Sequence, residues 1–137
     1  FHDYFLLDIN SFEDKSYHTM ARHNETGKLG EKLAKGWALE KGYTIITQNW
    51  RHGHWEIDLI AMKDDKLQFF EIKTKRSLNF GHPEVMVDKK KLNYFISAGT
   101  EYLRLNPQHK WIRFNILSIT LHNDKPAEYF LLEDVYY

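Results

Sequence analysis

Residues 55–76 read WEIDLIAMKDDKLQFFEIKTKR. Two apolar runs, Glu56 to Met62 and Leu67 to Lys75, flank the short polar connection Lys63-Asp64-Asp65-Lys66, which is the pattern of a β-hairpin. Side chains alternate faces along a strand, so Asp58 is expected to share a face with Glu56 and Ile60. Glu71 and Lys73 are expected on one face of the next strand, with Phe70 and Ile72 on the other. If the strands pair through the 63–66 turn, Asp58 lies near Glu71. Acids set in such apolar surroundings are costly to bury unpaired, so the patch calls for a metal ion or for a partner such as Lys73. Two carboxylates and a lysine on one patch suit phosphodiester hydrolysis: a metal polarises a phosphoryl oxygen and acidifies water, and an ammonium offsets developing charge. The plainer reading of the same spacing is a cross-strand ion pair between Lys73 and one acid, since Glu-x-Lys is common on exposed strand faces.

Working outward, the pattern turns helical from Thr26, with Leu29, Leu33 and Trp37 at i, i+4, i+8 beside Ala34 and Ala38, and with Gly42 placed as a C-terminal stop. Tyr43 to Trp50 is rich in β-branched and aromatic residues and reads as a strand. After the hairpin, residues 77–83 read as a loop, and a second helix is expected from about Val85 to Leu105, ending before Pro107. Trp111 to Leu121 reads as a fourth strand, and a short last strand is expected near Tyr129–Leu132. The order α-β-β-β-α-β predicts an α/β domain, a mixed central sheet flanked by helices.

The 137 residues suit one domain with one core. There is no cysteine, so thiolate metal sites and disulfides are excluded. A metal would be held by carboxylate, imidazole or carbonyl groups, and carboxylates favour hard ions such as Mg²⁺ or Mn²⁺. No apolar run approaches the roughly 20 residues of a membrane span. Phe5-Leu6-Leu7 lies among acids with no basic lead-in and does not read as a signal peptide, which makes the cytoplasm the default location. Residues 1–19 differ from the rest in charge and pattern. They read either as a flexible leader, with the functional domain spanning 20–137, or as an arm docked through Tyr4, Phe5, Phe12 and Tyr17. The zero net charge hides a division: between Met20 and Asn123 there are 17 Lys and Arg against 11 Asp and Glu. That moderately basic middle permits a polyanion such as DNA and does not require one.

The order of Asp58, a turn and Glu71-Ile72-Lys73, on strands that follow a helix, resembles the PD-(D/E)xK nuclease superfamily. More narrowly, the chain resembles the bacterial YraN-like family, whose members are similar to archaeal Holliday-junction resolvases. The matching segments are His23-Asn24-Glu25-Thr26-Gly27-Lys28-Leu29-Gly30-Glu31, Gly42-Tyr43, Asn49-Trp50-Arg51, Glu56-Ile57-Asp58-Leu59-Ile60, Phe70-Glu71-Ile72-Lys73-Thr74-Lys75, Phe80-Gly81, Lys91 and Arg113-Phe114. They run in order across most of Met20 to Leu121; each is weak alone and the set is specific. The resemblance implies a restriction-endonuclease-like fold and a metal-dependent DNA endonuclease acting on structured or branched substrates. It implies Asp58 and Glu71 as ligands of Mg²⁺ or Mn²⁺, with the Ile72 carbonyl completing the site. Lys73 would orient or activate the attacking water, and Glu31 would join the acidic cluster through a water or a second ion. Without the resemblance, Glu31 reads as half of an i, i+4 pair with Lys35. Lys91 would contact phosphate, although the run Lys89-Lys90-Lys91 is otherwise an ordinary solvated face. Two departures from the family pattern stand beside these matches: Trp55 where glycine is usual, suggesting altered access or packing beside the acidic face, and Asn115 where aspartate is usual.

Arg51, His52, Lys75 and Arg76 flank the patch and could meet phosphates, which position nucleic acid without reading its sequence; each is as readily plain surface charge. His52 and His54 could share a metal but lack a third ligand, and a polar loop explains them as well. Trp50 and Trp55 could stack on bases, though most tryptophans are core or interface residues. Tyr94-Phe95-Ile96 with Tyr102-Leu103 reads as the core face of the second helix, and a homodimer interface, as the resemblance to two-fold resolvases suggests, is an alternative use of this aromatic surface. The rival readings are a non-catalytic module that binds nucleic acid or protein, and an inactive scaffold that keeps the fold.

Overall fold

The computed structural model describes residues 12–77 and 88–135, with the side chains of residues 12–23 left aside. The expected 77–83 loop, the Phe80-Gly81 segment, the helix start at Val85 and the docked aromatic arm fall mainly or wholly outside what is described. The elements are α1 (Phe12–Glu40), β1 (Thr44–His52), β2 (Trp55–Lys63), β3 (Lys66–Arg76), α2 (Lys89–Leu105), β4 (Ile112–Leu121) and β5 (Glu128–Leu132). They form an α/β domain with one five-stranded mixed sheet in the order β1-β2-β3-β4-β5. Pairing is antiparallel except between β3 and β4, which run parallel and are connected through α2.

The hairpin at 63–66 forms as expected, with Lys63 opposite Lys66. Asp64 and Asp65 have φ of 53° and 62°, the double left-handed conformation whose twist matches paired strands. Aspartate adopts it more readily than most residues because its short side chain hydrogen-bonds locally.

Helix α1 begins at Phe12, well before the expected Thr26. Residues 12–25 contain neither glycine nor proline, so no breaker stops it there. Its buried stripe also differs from expectation. Thr26, Gly30, Ala34 and Ala38 face the sheet at i, i+4, i+8, i+12, while Leu29 is 40% exposed and Leu33 and Trp37 lie at the flanks. A seam of small residues lets the helix axis approach β3 closely. At Gly30 a Cβ would meet Thr74 Oγ1 at 2.0 Å and Thr74 Cβ at 2.8 Å, so only glycine fits there. Gly42, at φ 92°, ends the helix where its position predicts.

Two apolar layers cover the sheet. On one face Phe70, Leu59, Ala61, Leu117 and Ile119 pack under α1. On the other, Phe69, Ile57, Ile60, Phe114 and Ile116 pack under Leu92, Phe95, Ala98 and Tyr102 of α2. Tyr94 is 39% exposed and stands outside that core, contrary to the helical-face reading. Helix α2 is capped by Asp88, whose side chain accepts from the Lys90 N–H at 2.9 Å. Among the described residues no helix is long and apolar enough to cross a membrane.

Candidate metal centre

The period-2 alternation of β2 slips at Asp58. Ile57 and Ile60 both pack on the α2 side, whereas Leu59 and Ala61 pack on the α1 side. Strand β1 slips with it: Gln48 pairs with Leu59 and Trp50 with Ile57, and Asn49 and Asp58 fall between these two pairs. Asp58 therefore does not simply share the face of Glu56 and Ile60, as regular alternation predicts. It borders two cavities, one on each side of the sheet.

On the other flank, the β2–β3 ladder runs from Lys63↔Lys66 to Leu59↔Phe70 and stops. Beyond that point the Ile72 N–H donates to Asp58 Oδ2 at 2.8 Å. In extended backbone a residue's N–H and C=O point to the same neighbour, so the Ile72 carbonyl is turned toward β2 as well. Asp58, the Ile72 main chain and, one residue before it, Glu71 meet where the two strands part.

The electrostatics of this junction are unfavourable to charge. Desolvation raises the Asp58 pKa most, the Ile72 N–H opposes it, and Glu31 and Glu56 raise it further while Lys73 lowers it. Glu71 is pushed from 4.5 to about 7, first by burial and then by Asp58, against the pull of Lys73 and Lys91. Among the described residues no ion pair joins Lys73 to Asp58 or Glu71, so the simple cross-strand salt bridge is not formed. Nor, among them, do three or more Asp, Glu or His side chains converge as a ready-made metal cage.

These shifts carry a stability consequence. The folded state binds the Glu71 proton more tightly than the unfolded chain, so the stability that Glu71 contributes is fully present below 4.5 and is lost as pH rises through about 7. Asp58 pulls in the same direction. Thermal midpoints of metal-free protein are expected to decline over that window, with a shallower decline for Glu71→Gln and a higher midpoint for that variant at neutral pH. A variant that tracks the wild type throughout would contradict the environment assigned to Glu71.

The α1-side cavity, about 550 Å³, is lined by Glu31, Asp58 and Ile72 together with Thr26, Lys75 and Arg76. Arg76 Nε donates to Thr26 Oγ1 at 3.1 Å. The α2-side cavity, about 530 Å³, holds Glu56, Asp58 and Glu71 against Lys90, Lys91, Asp88 and Tyr94. Lys73 and Lys91 line a small recess beside Glu71 and Asp88. Arg51 stands on the rim, paired with Glu56 at 3.3 Å. The residues singled out from sequence thus gather around one junction, from two sides.

The remaining candidates go elsewhere. His52 pairs with Glu101 at 3.4 Å and His54 lies against the Trp55 ring, so they do not form a metal pair. Trp50 packs edge-on against Tyr102 in the core layer, away from any base-stacking role. Trp55 leans on Tyr94, whose hydroxyl donates to the His54 carbonyl, and this ties the start of β2 to α2 beside the acidic cavity. Asn115 is fully buried; its Nδ2 donates to Gln68 Oε1 at 2.8 Å and its Oδ1 accepts from the Asp134 N–H at 3.2 Å. A neutral amide there satisfies both partners without burying a charge, so this departure concerns the core rather than the acidic junction.

Two residues of the junction escaped sequence reasoning. Asp88 was detectable as an acid directly before the Lys89-Lys90-Lys91 run, an N-cap signature. Asn49 stands in the matching segment Asn49-Trp50-Arg51, but its part depends on a local backbone reversal that the sequence does not record.

Over residues 30–119 the chain matches the model of a family described as "Uncharacterised protein family UPF0102". It is 38% identical to a UPF0102 protein of Bacteroides thetaiotaomicron over 104 residues, covering 76% of this chain and 86% of that one. A UPF0102 protein of Flavobacterium psychrophilum is 39% identical over 100 residues, covering 73% and 84%. One from Chloroherpeton thalassium is 37% identical over 118 residues, covering 80% and 92%.

Proposed function

We propose that this chain, which belongs to the UPF0102 family, is a divalent-metal-dependent DNA endonuclease of the PD-(D/E)xK type, acting on branched or otherwise structured DNA. The observation that carries the reading is the pair Asp58 and Glu71 at a break in the sheet flanked by Lys73 and Lys91: burial drives both above their usual pKa, with Glu31 and Glu56 adding to the rise of Asp58 and Asp58 adding to that of Glu71. A structural ion pair would relieve the unfavourable charge, and among the described residues none is formed with Asp58 or Glu71.

The donors fit Mg²⁺ or Mn²⁺. They are all oxygen, and such ions are commonly held by one or two carboxylates while keeping waters and taking a substrate phosphate, so a cage of three acids is not needed. When bound, the ion supplies Lewis-acid polarisation of a phosphoryl oxygen and a more acidic water. Asp58 and Glu71 would hold it, with the Ile72 carbonyl as a further oxygen donor and Glu31 of α1 completing the acidic cluster. Lys73 orients the attacking water and offsets charge that develops on the phosphate. Lys91 on one side of the junction, and Lys75 and Arg76 on the other, grip backbone phosphates, with Arg51 at the rim.

A binding module that keeps the fold is favoured by one observation, the lack of a ready-made metal cage among the described residues. The two readings part on one assay. Purified protein with Mn²⁺ is expected to nick a four-way junction or a flap; junction binding without cleavage on either substrate would select the binding module.

A further inference from the structure

We infer that Asn49 is a positioning residue of this site: it holds the Glu31 carboxylate of α1 at the gap in the sheet that Asp58 occupies. The inference rests on the metal-site reading and extends it to a residue of β1. Successive side chains of a regular strand point to opposite faces. Gln48 points to the α1 side, where its Nε2 donates to the Glu31 backbone carbonyl at 3.2 Å. Asn49 should then point away from α1. Instead its backbone turns left-handed, at φ 54°, and its Nδ2 reaches Glu31 Oε1 at 3.3 Å and Oε2 at 3.5 Å. Two neighbouring residues of β1 therefore grip one residue of α1, by its main chain and by its side chain.

The reversal falls opposite Asp58, at the point where β1 and β2 change faces together. Left-handed backbone in a non-glycine residue persists where the surroundings enforce it, and it gathers at functional sites. The chemistry of the grip matters too. A neutral amide fixes a carboxylate by hydrogen bonding without cancelling its charge, whereas Lys or Arg at this position would compete with a bound cation. Glu31 lines the same cavity as Asp58 and is one of the charges that raise the Asp58 pKa, so its negative charge is felt at the junction.

The test separates positioning from mere backbone accommodation. Asn49→Gly keeps the left-handed conformation, which glycine adopts freely, and removes only the side-chain grip. Its thermal midpoint is expected to equal or exceed that of the wild type, while its Mn²⁺ affinity by calorimetry falls about tenfold, the lower end for a residue that orients a metal ligand. In a Glu31→Gln background the same substitution is expected to cause no further loss. Unchanged affinity in Asn49→Gly, or an undiminished loss in the Glu31→Gln background, would overturn the inference while leaving the metal site standing. A flat wild-type titration would remove the metal site, and the role of Asn49 with it.

Discussion

Lys73→Ala is expected to lower Mn²⁺-dependent nicking of a four-way junction by about 10²–10⁴-fold, the range for a side chain that assists proton transfer or developing charge. Metal binding should survive the substitution. Lys73 draws the Asp58 and Glu71 pKa values down, so it stabilises their charge, but it also competes with any cation placed between them. Its removal takes away a rival to the ion rather than a ligand. The split between lost turnover and retained affinity is the informative result, because a lysine that served only the fold would change neither selectively. Half-buried on β3 beside Glu71 and Lys91, Lys73 is held by the strand and not by an ion pair with its acidic neighbours. Nicking by Lys73→Ala at the wild-type rate would remove it from the chemistry.

Phe70→Ala is expected to destabilise the domain by about 3–5 kcal/mol, the usual cost of truncating a fully buried phenylalanine. Phe70 has no exposed surface, and its ring meets Tyr43 at 5.3 Å and Trp37 at 6.0 Å, both edge-on. It is the aromatic centre of the layer that seats α1 on the sheet, directly before Glu71. Domains of this size are commonly stable by only about 5–15 kcal/mol, so this loss is a large fraction of the total. The thermal midpoint should fall by roughly 10 °C or more. Tyr129→Ala, by contrast, touches a residue 37% exposed on the last strand and should cost far less. A Phe70→Ala protein within 1 kcal/mol of the wild type by denaturant titration would contradict the packing described.

Much of the architecture is legible in the chain because its signals are local. The Lys63–Lys66 connection announces its hairpin, and the apolar runs on either side fix β2 and β3 to within a residue. The helix seam was misplaced because leucine and tryptophan dominate a hydrophobicity pattern, whereas Gly30, Ala34 and Ala38 are chosen for how closely α1 must approach Thr74. The nearness of Asp58 to Glu71 follows from simple pairing. What simple pairing does not reveal is the slip at Asp58, which opens the site to both faces of the sheet. That slip lies across the ladder from the turned backbone of Asn49, and no periodicity in one strand records the conformation of its neighbour. Trp55 and Asn115 illustrate the same limit: only contact with Tyr94 and Gln68 gives them a place.

Under the proposed function, the break between β2 and β3 binds a divalent ion through Asp58. Calorimetric titration of Mn²⁺ into metal-free wild type and into Asp58→Ala tests it most directly. Saturable binding to the wild type that disappears in Asp58→Ala, with the variant still folded, is the predicted result; equal heats from the two proteins would contradict it.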